Sequence, residues 1–376
     1  MKATIAVFLS LATTLVGCSS SSSGQGATSD AGEGDGTAGD ATRDAKGDGT
    51  TPGDGSGADA TGDASEQQDA AMLDAGCTRA EGPDGSCAVT LGAGQSAPAG
   101  IAVDSQNVYW TIALIDGGGA VMSAPIGGGA VATIASGLQE PLGVASDGAR
   151  VYWANAGAYD VMAAPLDGGA PAVVLTTATN PQYVAVDATG LYATTVGGAV
   201  WFAPLDGGPP TVVVAGQGQP GPIVLDDASV YFTNFTGSAS VVGVPKTGVP
   251  EGGAPLVIAS NEAQPFGIAI DATRVYWTAL GSGSVRAAPK TGLGDSGAPT
   301  VLAMGQASPS GVAVDSTNVY FTSDVGAGAL FTVPVAGDTP ATFVANQTYP
   351  FAVVLDARNV YWTDFTAGGS VQQVAK

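Results

Sequence analysis

Short apolar runs recur at a nearly constant interval from residue 98 to the end of the chain. Each repeat unit contains a proline, an aspartate six residues later and a tyrosine five residues after the aspartate. The seven units begin at Pro98, Pro141, Pro181, Pro220, Pro265, Pro309 and Pro350. Because the spacing inside the unit never changes, the pattern indicates one structural element that is repeated seven times.

Each unit predicts four short strands joined by turns. The first resembles GIAVD at 100–104 and ends at the aspartate, and the second reads V-Y-[WF]-T, as at 108–111. The third resembles AVWFAP at 199–204, and the fourth resembles APAVVLT at 170–176. β-Branched and aromatic residues dominate these runs, whereas Gly, Pro, Asp and Asn occupy the joints. The runs are apolar on both faces, which is typical of strands buried between neighbouring sheets.

The period and the strand pattern together predict an all-β fold, a seven-bladed β-propeller over residues 77–376. The seventh unit has no fourth strand before Lys376, and the segment CAVTLGAGQS (87–96) precedes Pro98 as PTVLAMGQAS (299–308) precedes Pro309. We therefore expect this N-terminal segment to be the outer strand of the last blade. Such a closure removes the exposed edges that an open sheet would leave.

The repeated side chains have structural interpretations. The aspartate at each joint can accept a hydrogen bond from the backbone N–H two residues on, which fixes the reversal between the first and second strands. We interpret the tyrosine and the aromatic residue after it as packing between blades, and not as a sugar-binding platform.

The first eighteen residues, MKATIAVFLSLATTLVGC, predict export. Residues 1–17 have the basic start, the apolar run and the small final residue of a secretory signal peptide. The ending L-V-G-C resembles the lipobox of bacterial lipoproteins, in which the cysteine, here Cys18, carries the lipid anchor. An ordinary cleaved signal is the alternative. Because no aspartate follows Cys18, the resemblance implies a lipid-anchored protein of the bacterial cell envelope, at the outer membrane and facing either side.

Residues 18–76 predict a disordered tether. The 58 residues after Cys18 hold 12 acidic and two basic side chains. They contain almost no large apolar residue, so they cannot bury enough surface to fold. Cys77 and Cys87 follow, with nine residues between them. In an exported chain this pair predicts a disulfide that staples a turn.

Composition excludes several functions. The chain has no histidine and a formal net charge of −22. Since no cluster of basic residues is available for phosphate contacts, we expect no binding to nucleic acid. Without histidine, a Ser-His-Asp triad and a histidine-ligated metal site cannot form.

The units resemble the YWTD-type and NHL-type propeller repeats, although only residues 361–364 read YWTD literally. Receptor propellers of the YWTD type have six blades. Exported seven-bladed propellers include lyases that open cyclic peptide antibiotics, but those lyases depend on histidine. We therefore expect a binding scaffold that engages a protein or glycan through its rim loops. The alternative is a calcium-dependent hydrolase or lactonase, similar to gluconolactonase-like propellers, with its site at the channel mouth.

The candidate binding residues lie in the loops after the second strands and just after the repeat prolines. At these positions the units differ, and polar residues stand beside aromatic ones on one rim. The candidates are Asn155, Asp160, Tyr183, Asn234, Phe266, Asp324, Phe351 and Asp364. The alternative is that they are solvated loop residues that simply differ. We predict a monomer with no catalytic residue set and no cofactor, calcium being the one exception.

Overall fold

A computed structural model of the chain describes residues 87–237, 239–250, 253–294 and 297–376. Within these ranges it contains 28 β-strands and two single-turn 3-10 helices, at Ala156–Ala158 and Leu280–Ser282. The strands form seven four-stranded antiparallel sheets, which are the blades of a β-propeller. The predicted fold class is confirmed.

Four strand positions recur in every blade, and the blades are numbered 1 to 7 along the chain. The first strands are β2 (Pro98–Val103), β6 (Pro141–Ser146), β10 (Pro181–Val186), β14 (Pro220–Leu225), β18 (Pro265–Ile270), β22 (Pro309–Val314) and β26 (Pro350–Leu355). The second strands are β3 (Asn107–Ile112), β7 (Arg150–Asn155), β11 (Leu191–Thr195), β15 (Ser229–Asn234), β19 (Arg274–Ala279), β23 (Asn318–Ser323) and β27 (Asn359–Asp364).

The third and fourth strands complete the blades. The third strands are β4 (Gly119–Pro125), β8 (Asp160–Pro165), β12 (Ala199–Ala203), β16 (Ser240–Pro245), β20 (Ser284–Pro289), β24 (Gly328–Pro334) and β28 (Gly369–Ala375). The fourth strands are β5 (Ala132–Leu138), β9 (Ala172–Thr176), β13 (Thr211–Val214), β17 (Leu256–Ser260), β21 (Thr300–Ala303), β25 (Ala341–Gln347) and, for blade 7, β1 (Val89–Gln95).

Each first strand begins at the repeat proline, two residues earlier than the apolar run alone predicts. Proline is tolerated at the first position of a strand, where its missing N–H leaves no ladder bond unmade. A bulge follows the proline. In blade 6, Pro309 pairs with Ser323 and Val312 pairs with Phe321, so two residues of β22 face Thr322. The residues after each proline therefore take directions that a regular strand would not give them.

The last blade closes the ring as predicted. Its sheet has the order β1-β28-β27-β26. Strand β1 pairs antiparallel with β28, from Val89 opposite Gln373 to Gln95 opposite Gly369. The indole N–H of Trp110 in blade 1 donates to Gln95 (3.1 Å). The closing strand is therefore joined to blade 1 as well as to blade 7.

Several predictions fall outside the described residues, namely the signal peptide (1–17), the tether (18–76), Cys18 and Cys77. Export, lipid anchoring and the disulfide between Cys77 and Cys87 therefore stay predictions. Within the ranges that the structure describes, no helix is long and apolar enough to cross a membrane.

The core lies between adjacent blades. The tryptophans that follow the repeat tyrosine are 0% exposed, namely Trp110, Trp153, Trp277 and Trp362. Trp110 packs in one cluster with Leu91 of β1 and Tyr361 of β27, and so joins blades 1 and 7. Because the two faces of a second strand meet two different neighbouring blades, both faces are apolar. The predicted packing role of these aromatic residues is confirmed.

The two ends of the blades define two faces of the ring. The aspartate face is the end at which the first strands stop, and it carries the seven repeat aspartates. The proline face is the opposite end. It carries the repeat prolines, the loops from the second to the third strands, and the connections from one blade to the next.

On the aspartate face, each repeat aspartate holds its own turn. Oδ1 of Asp104 accepts the backbone N–H groups of Gln106 (2.8 Å) and Asn107 (2.9 Å), and Oδ2 accepts the hydroxyl of Tyr109 (2.7 Å). The predicted bond from the N–H two residues on is present in all seven units. The tyrosine hydroxyl reaches this carboxylate in every unit except the third, which explains the five-residue spacing.

Three blade junctions add an ion pair at the aspartate face. Each lysine directly follows a third strand and reaches the turn aspartate of the preceding blade. The pairs are Lys246–Asp187, Lys290–Asp226 (2.8 Å) and Lys376–Asp315 (3.1 Å). The charges of these three lysines are thus paired inside the blade junctions.

The threonine of the second strand links neighbouring blades through their first strands. Oγ1 of Thr278 accepts the N–H of Gly267 in its own blade (2.8 Å) and donates to the carbonyl of Ser310 in the next blade (2.7 Å). The same two kinds of bond are made by Thr111, Thr322 and Thr363. The residue after a repeat proline is therefore held in place by the blade before it.

Candidate binding site at the proline face

Aromatic side chains from three blades meet at the centre of the proline face. The ring centroids of Tyr183 (blade 3) and Phe266 (blade 5) lie 6.2 Å apart. Those of Phe266 and Phe351 (blade 7) lie 5.7 Å apart, and those of Phe351 and Phe365 lie 5.6 Å apart. Because blades 3, 5 and 7 are not neighbours, these rings meet across the centre of the propeller. These four residues form the aromatic cluster.

The aromatic cluster contains the three aromatic residues that the sequence predicts for this rim, and it adds Phe365. Phe266 is 5% exposed and Phe365 is 9% exposed. Burial also raises the pKa of the Tyr183 hydroxyl. The rings therefore pack on one another and do not form an open platform.

Blade 6 interrupts the aromatic cluster with two polar residues. Phe266, Ser310 and Phe351 are equivalent residues of blades 5, 6 and 7, since each directly follows the repeat proline. The ring centroids of Phe266 and Phe351 lie 5.7 Å apart although blade 6, with Ser310 at the equivalent position, stands between their blades. In the same way, Asp324 of blade 6 is equivalent to Phe365 of blade 7, whose ring touches Phe351.

Asp324 and Ser310 therefore stand where blade 7 has two rings in contact. The backbone follows the same equivalence: the N–H of Asp324 donates to the carbonyl of Ser308 (3.0 Å), and that of Phe365 donates to Tyr349 (2.8 Å). Ser310 is 1% exposed. Among the residues that the structure describes, Oδ1 of Asp324 and Oγ of Ser310 have no hydrogen-bond partner. Two buried polar atoms are thus left unpaired at positions where blade 7 carries aromatic rings.

The electrostatics of the two faces differ. Burial raises the pKa of Asp324 to about 7, because the carboxylate loses water and gains no compensating donor. Burial also raises the pKa of Glu140 and of Asp160, which begins β8 on the same face. At the turn of blade 6, burial opposes ionisation of Asp315, but the backbone N–H groups and Lys376 prevail and lower its pKa to about 2.

Three predicted rim residues, at the ends of second strands, are buried inside the blades. Asn155, Asn234 and Asp364 are each 5% exposed. Asp364 accepts hydrogen bonds from Ser370 (2.8 Å) and Gln372 (2.6 Å) of the adjoining strand. The two asparagines bond to the connection that enters their own blade. These hydrogen bonds hold the loops in place.

Ser310, Phe365 and Glu140 belong to this face but are absent from the predicted site. Comparison of the residue after each repeat proline could have singled out Ser310. From blade 1 to blade 7 this residue is A, L, Q, G, F, S and F. Its meaning depends on closure of the ring, because only then do side chains of non-adjacent blades meet.

Other parts of the described chain are weaker candidates. Within the described ranges, no three Cys, Asp or Glu side chains come together as a metal-binding group. A groove of about 620 Å³ lies between blades 1 and 2 on the aspartate face, beside Gln106, Ser123 and Leu166. Its carboxylate, Asp104, is occupied by its own turn and by the hydroxyl of Ser146 (3.1 Å). The proline face is therefore the better candidate site.

Solved structures share this fold at low sequence identity. Virginiamycin B lyase from Staphylococcus aureus has a TM-score of 0.63 at 12% identity, covering 77% of this chain and 99% of that chain. A streptogramin B lyase has a TM-score of 0.63 at 14% identity, covering 76% and 96%. A chain of a nidogen/laminin complex has a TM-score of 0.51 at 19% identity, covering 66% and 96%.

These likenesses show the fold alone, because the identities are low. They agree with the predicted resemblance to YWTD-type and NHL-type propellers at the level of architecture. No protein-family model matches the sequence, and no curated protein matches it.

Proposed function

We propose that the chain is an exported, membrane-tethered binding protein that engages its ligand at the proline face. The observation that carries this proposal is that Oδ1 of Asp324 and Oγ of Ser310 are buried without a partner, at positions equivalent to the rings of Phe365 and Phe351. Buried polar groups in native proteins are almost always paired, so an unpaired pair at the centre of a face points to a missing partner. The closed ring holds both groups on strands and short loops, which suits a preorganised site.

The predicted N-terminal segment supplies the tether. A flexible coil of 58 residues has an r.m.s. span of roughly 40–45 Å, and repulsion between its acidic side chains lengthens it. With a lipid on Cys18, this segment would hold the ring near a membrane without pressing it against the surface.

Acyl labelling tests the anchor. We expect the wild-type chain to incorporate palmitate and to fractionate with membranes, and we expect Cys18→Ser to lose both properties. The control is Cys87→Ser, which keeps the lipobox cysteine. Continued labelling or membrane retention of the Cys18→Ser chain would contradict lipid anchoring at this residue.

Affinity capture from the native envelope tests the site. The mature wild-type chain is immobilised beside Asp324→Phe, in which blade 6 acquires the ring that blade 7 carries as Phe365. We expect a protein or glycan to be retained by the wild type and lost from Asp324→Phe. Asp116→Asn is the matched control, because Asp116 is an exposed carboxylate of the same face. Equal retention by all three chains would contradict binding at Asp324.

The calcium-dependent hydrolase or lactonase is the alternative proposal. Asp324 favours it, because a carboxyl with a pKa near 7 can exchange a proton at neutral pH. Among the described residues, no group of three or more Cys, Asp or Glu side chains is arranged to hold a metal ion. Calcium titration during a thermal melt separates the two proposals, since a large stabilisation at micromolar calcium that Asp324→Asn abolishes would favour the enzyme.

A further inference from the structure

We infer that the ligand group bound at the proline face is a primary or secondary alkylammonium ion, whose N–H groups donate to Asp324 Oδ1 and Ser310 Oγ against the aromatic cluster. The inference rests on the proposed function, because it names the chemistry of the ligand at that same site. Three observations support it: the placement of the basic residues in the propeller, the aromatic side chains of blades 5 and 7, and the two unpaired oxygen acceptors.

The charge balance comes first. Residues 87–376 contain seven basic side chains, and six of them lie at the aspartate ends of strands, namely Arg150, Lys246, Arg274, Lys290, Arg358 and Lys376. The seventh, Arg286, is paired with Glu262 inside blade 5 (3.2 Å). None of the seven is therefore placed to neutralise Asp324. A buried carboxylate that is ionised needs a counter-charge, and here the ligand has to bring it.

The neighbouring rings favour an organic cation. Phe351 touches both Phe266 and Phe365, so blade 6 is bordered by a continuous aromatic wall. Aromatic faces attract ammonium groups, and the attraction strengthens where water is excluded. Alkyl groups on the ammonium would also pack on the rings. A bare metal ion would gain little from such a wall.

The acceptors favour an ammonium that keeps its hydrogens. A divalent calcium ion takes six to eight oxygen ligands, usually with several carboxylates. Within the described part of the chain, Asp324 has no such companions. Oδ1 of Asp324 and Oγ of Ser310 are two acceptors, which match two N–H donors of a primary or secondary ammonium. A quaternary ammonium has no N–H donor and would leave both atoms unpaired.

Calorimetric titration of the mature chain with n-butylammonium chloride tests the inference. Three reference probes are n-butanol, which is the neutral isostere, tetramethylammonium chloride, which lacks N–H donors, and calcium chloride. We expect saturable binding of n-butylammonium that is at least about tenfold tighter than that of n-butanol, as one charge-assisted hydrogen bond would give. We expect tetramethylammonium to bind more weakly than n-butylammonium.

Variants locate the binding atoms. We expect Asp324→Asn to weaken n-butylammonium binding about tenfold or more, and Ser310→Ala to weaken it by a smaller factor. The matched control Asp116→Asn should bind like the wild type. Circular dichroism and thermal melts of each variant show that the fold is kept, so a loss of binding cannot come from unfolding.

Three results would overturn the inference: equal affinity for n-butylammonium and n-butanol, unchanged binding by Asp324→Asn, or binding of calcium alone. The two proposals fail separately. If Asp324→Phe abolishes envelope capture but n-butylammonium does not bind, only the ammonium inference fails. If n-butylammonium binds through Asp324 while capture is unaffected by Asp324→Phe, the ammonium site stands and the proposed function fails.

Discussion

Two aspartates of blade 6, nine residues apart, occupy opposite faces of the ring and opposite electrostatic states. Asp315 accepts the N–H groups of Thr317 and Asn318 (both 2.9 Å) and an ammonium proton of Lys376 (3.1 Å). Asp324 has no partner for its Oδ1 atom among the described residues. Burial opposes ionisation at both sites, but only Asp315 is compensated. A carboxylate on this propeller is therefore structural where its hydrogen bonds are complete.

The backbone shows the same contrast between the faces. On the aspartate face, the turns after the third strands use glycine for left-handed φ values, as at Gly248 (85°) and Gly337 (85°). On the proline face, non-glycine residues directly before the repeat prolines adopt such values in six blades, namely Ala97, Glu140, Gln219, Gln264, Ser308 and Tyr349. Left-handed backbone at residues other than glycine is strained. The aspartate face is relaxed and repeated, whereas the proline face holds strain and unpaired groups.

The pH dependence of stability should show the largest effect. Asp324 ionises near pH 4 in the unfolded chain but only near pH 7 in the folded ring. Between these values the unfolded chain has lost a proton that the folded chain still holds, so stability falls as pH rises from about 4 to 7. We expect Asp324→Asn to remove this loss, which is on the order of 3–4 kcal/mol. Urea unfolding at pH 4, 6 and 8, followed by tryptophan fluorescence, measures it.

Asp315 gives a pH dependence of stability with the opposite sign, and it serves as the internal reference. Its folded pKa of about 2 lies below the unfolded value of 3.8, so its contribution is complete above pH 4 and is lost as pH falls towards 2. If the stability of Asp324→Asn still declines from pH 4 to 7 by as much as that of the wild type, Asp324 is not the group whose ionisation is opposed by burial.

Truncation of the same two aspartates should have the next largest effect. Asp315→Ala removes the hydrogen bonds of the turn and the ion pair with Lys376, and we expect it to destabilise the propeller by about 3 kcal/mol at pH 7. Asp324→Ala removes a buried carboxyl that lacks a partner, and we expect it to be neutral or stabilising. The midpoints of urea unfolding measure both changes. Equal destabilisation by the two variants would show that Asp324 is as well compensated as Asp315.

Two buried hydroxyls differ in the same way, and we expect smaller changes in stability when they are removed. Thr278 is 0% exposed and makes two hydrogen bonds between blades, whereas Ser310 is 1% exposed and its hydroxyl has none. We expect Thr278→Val to cost about 2 kcal/mol, because it leaves an N–H and a carbonyl unpaired. We expect Ser310→Ala to change stability by less than about 0.5 kcal/mol. Thermal melts of the two variants measure the difference, and a large loss in Ser310→Ala would mean that its hydroxyl is already satisfied.

Much of the fold could be predicted from the repeat alone. The invariant spacing from proline to aspartate to tyrosine is local chemistry: a turn carboxylate, its capped N–H groups and a hydroxyl five residues on. The role of CAVTLGAGQS as the missing outer strand could also be read, because it aligns with the fourth strand of blade 5. The candidate residues fall into two groups, and binding by any of them stays a prediction. Phe266, Phe351, Tyr183 and Asp324 lie at the centre of the proline face, whereas Asn155, Asn234 and Asp364 support loops.

The number of blades, the strand order within each blade and the strand that closes the ring could all be read from the sequence, because they depend on periodicity and local turn chemistry. It also determined the negative charge and the absence of histidine, which limit the chemistry. The tertiary structure was needed to show that the rings of Phe266 and Phe351 are in contact, and that Oδ1 of Asp324 is buried without a partner among the described residues. The contact between the two rings depends on side chains from blades 5 and 7, which come together only when the propeller closes.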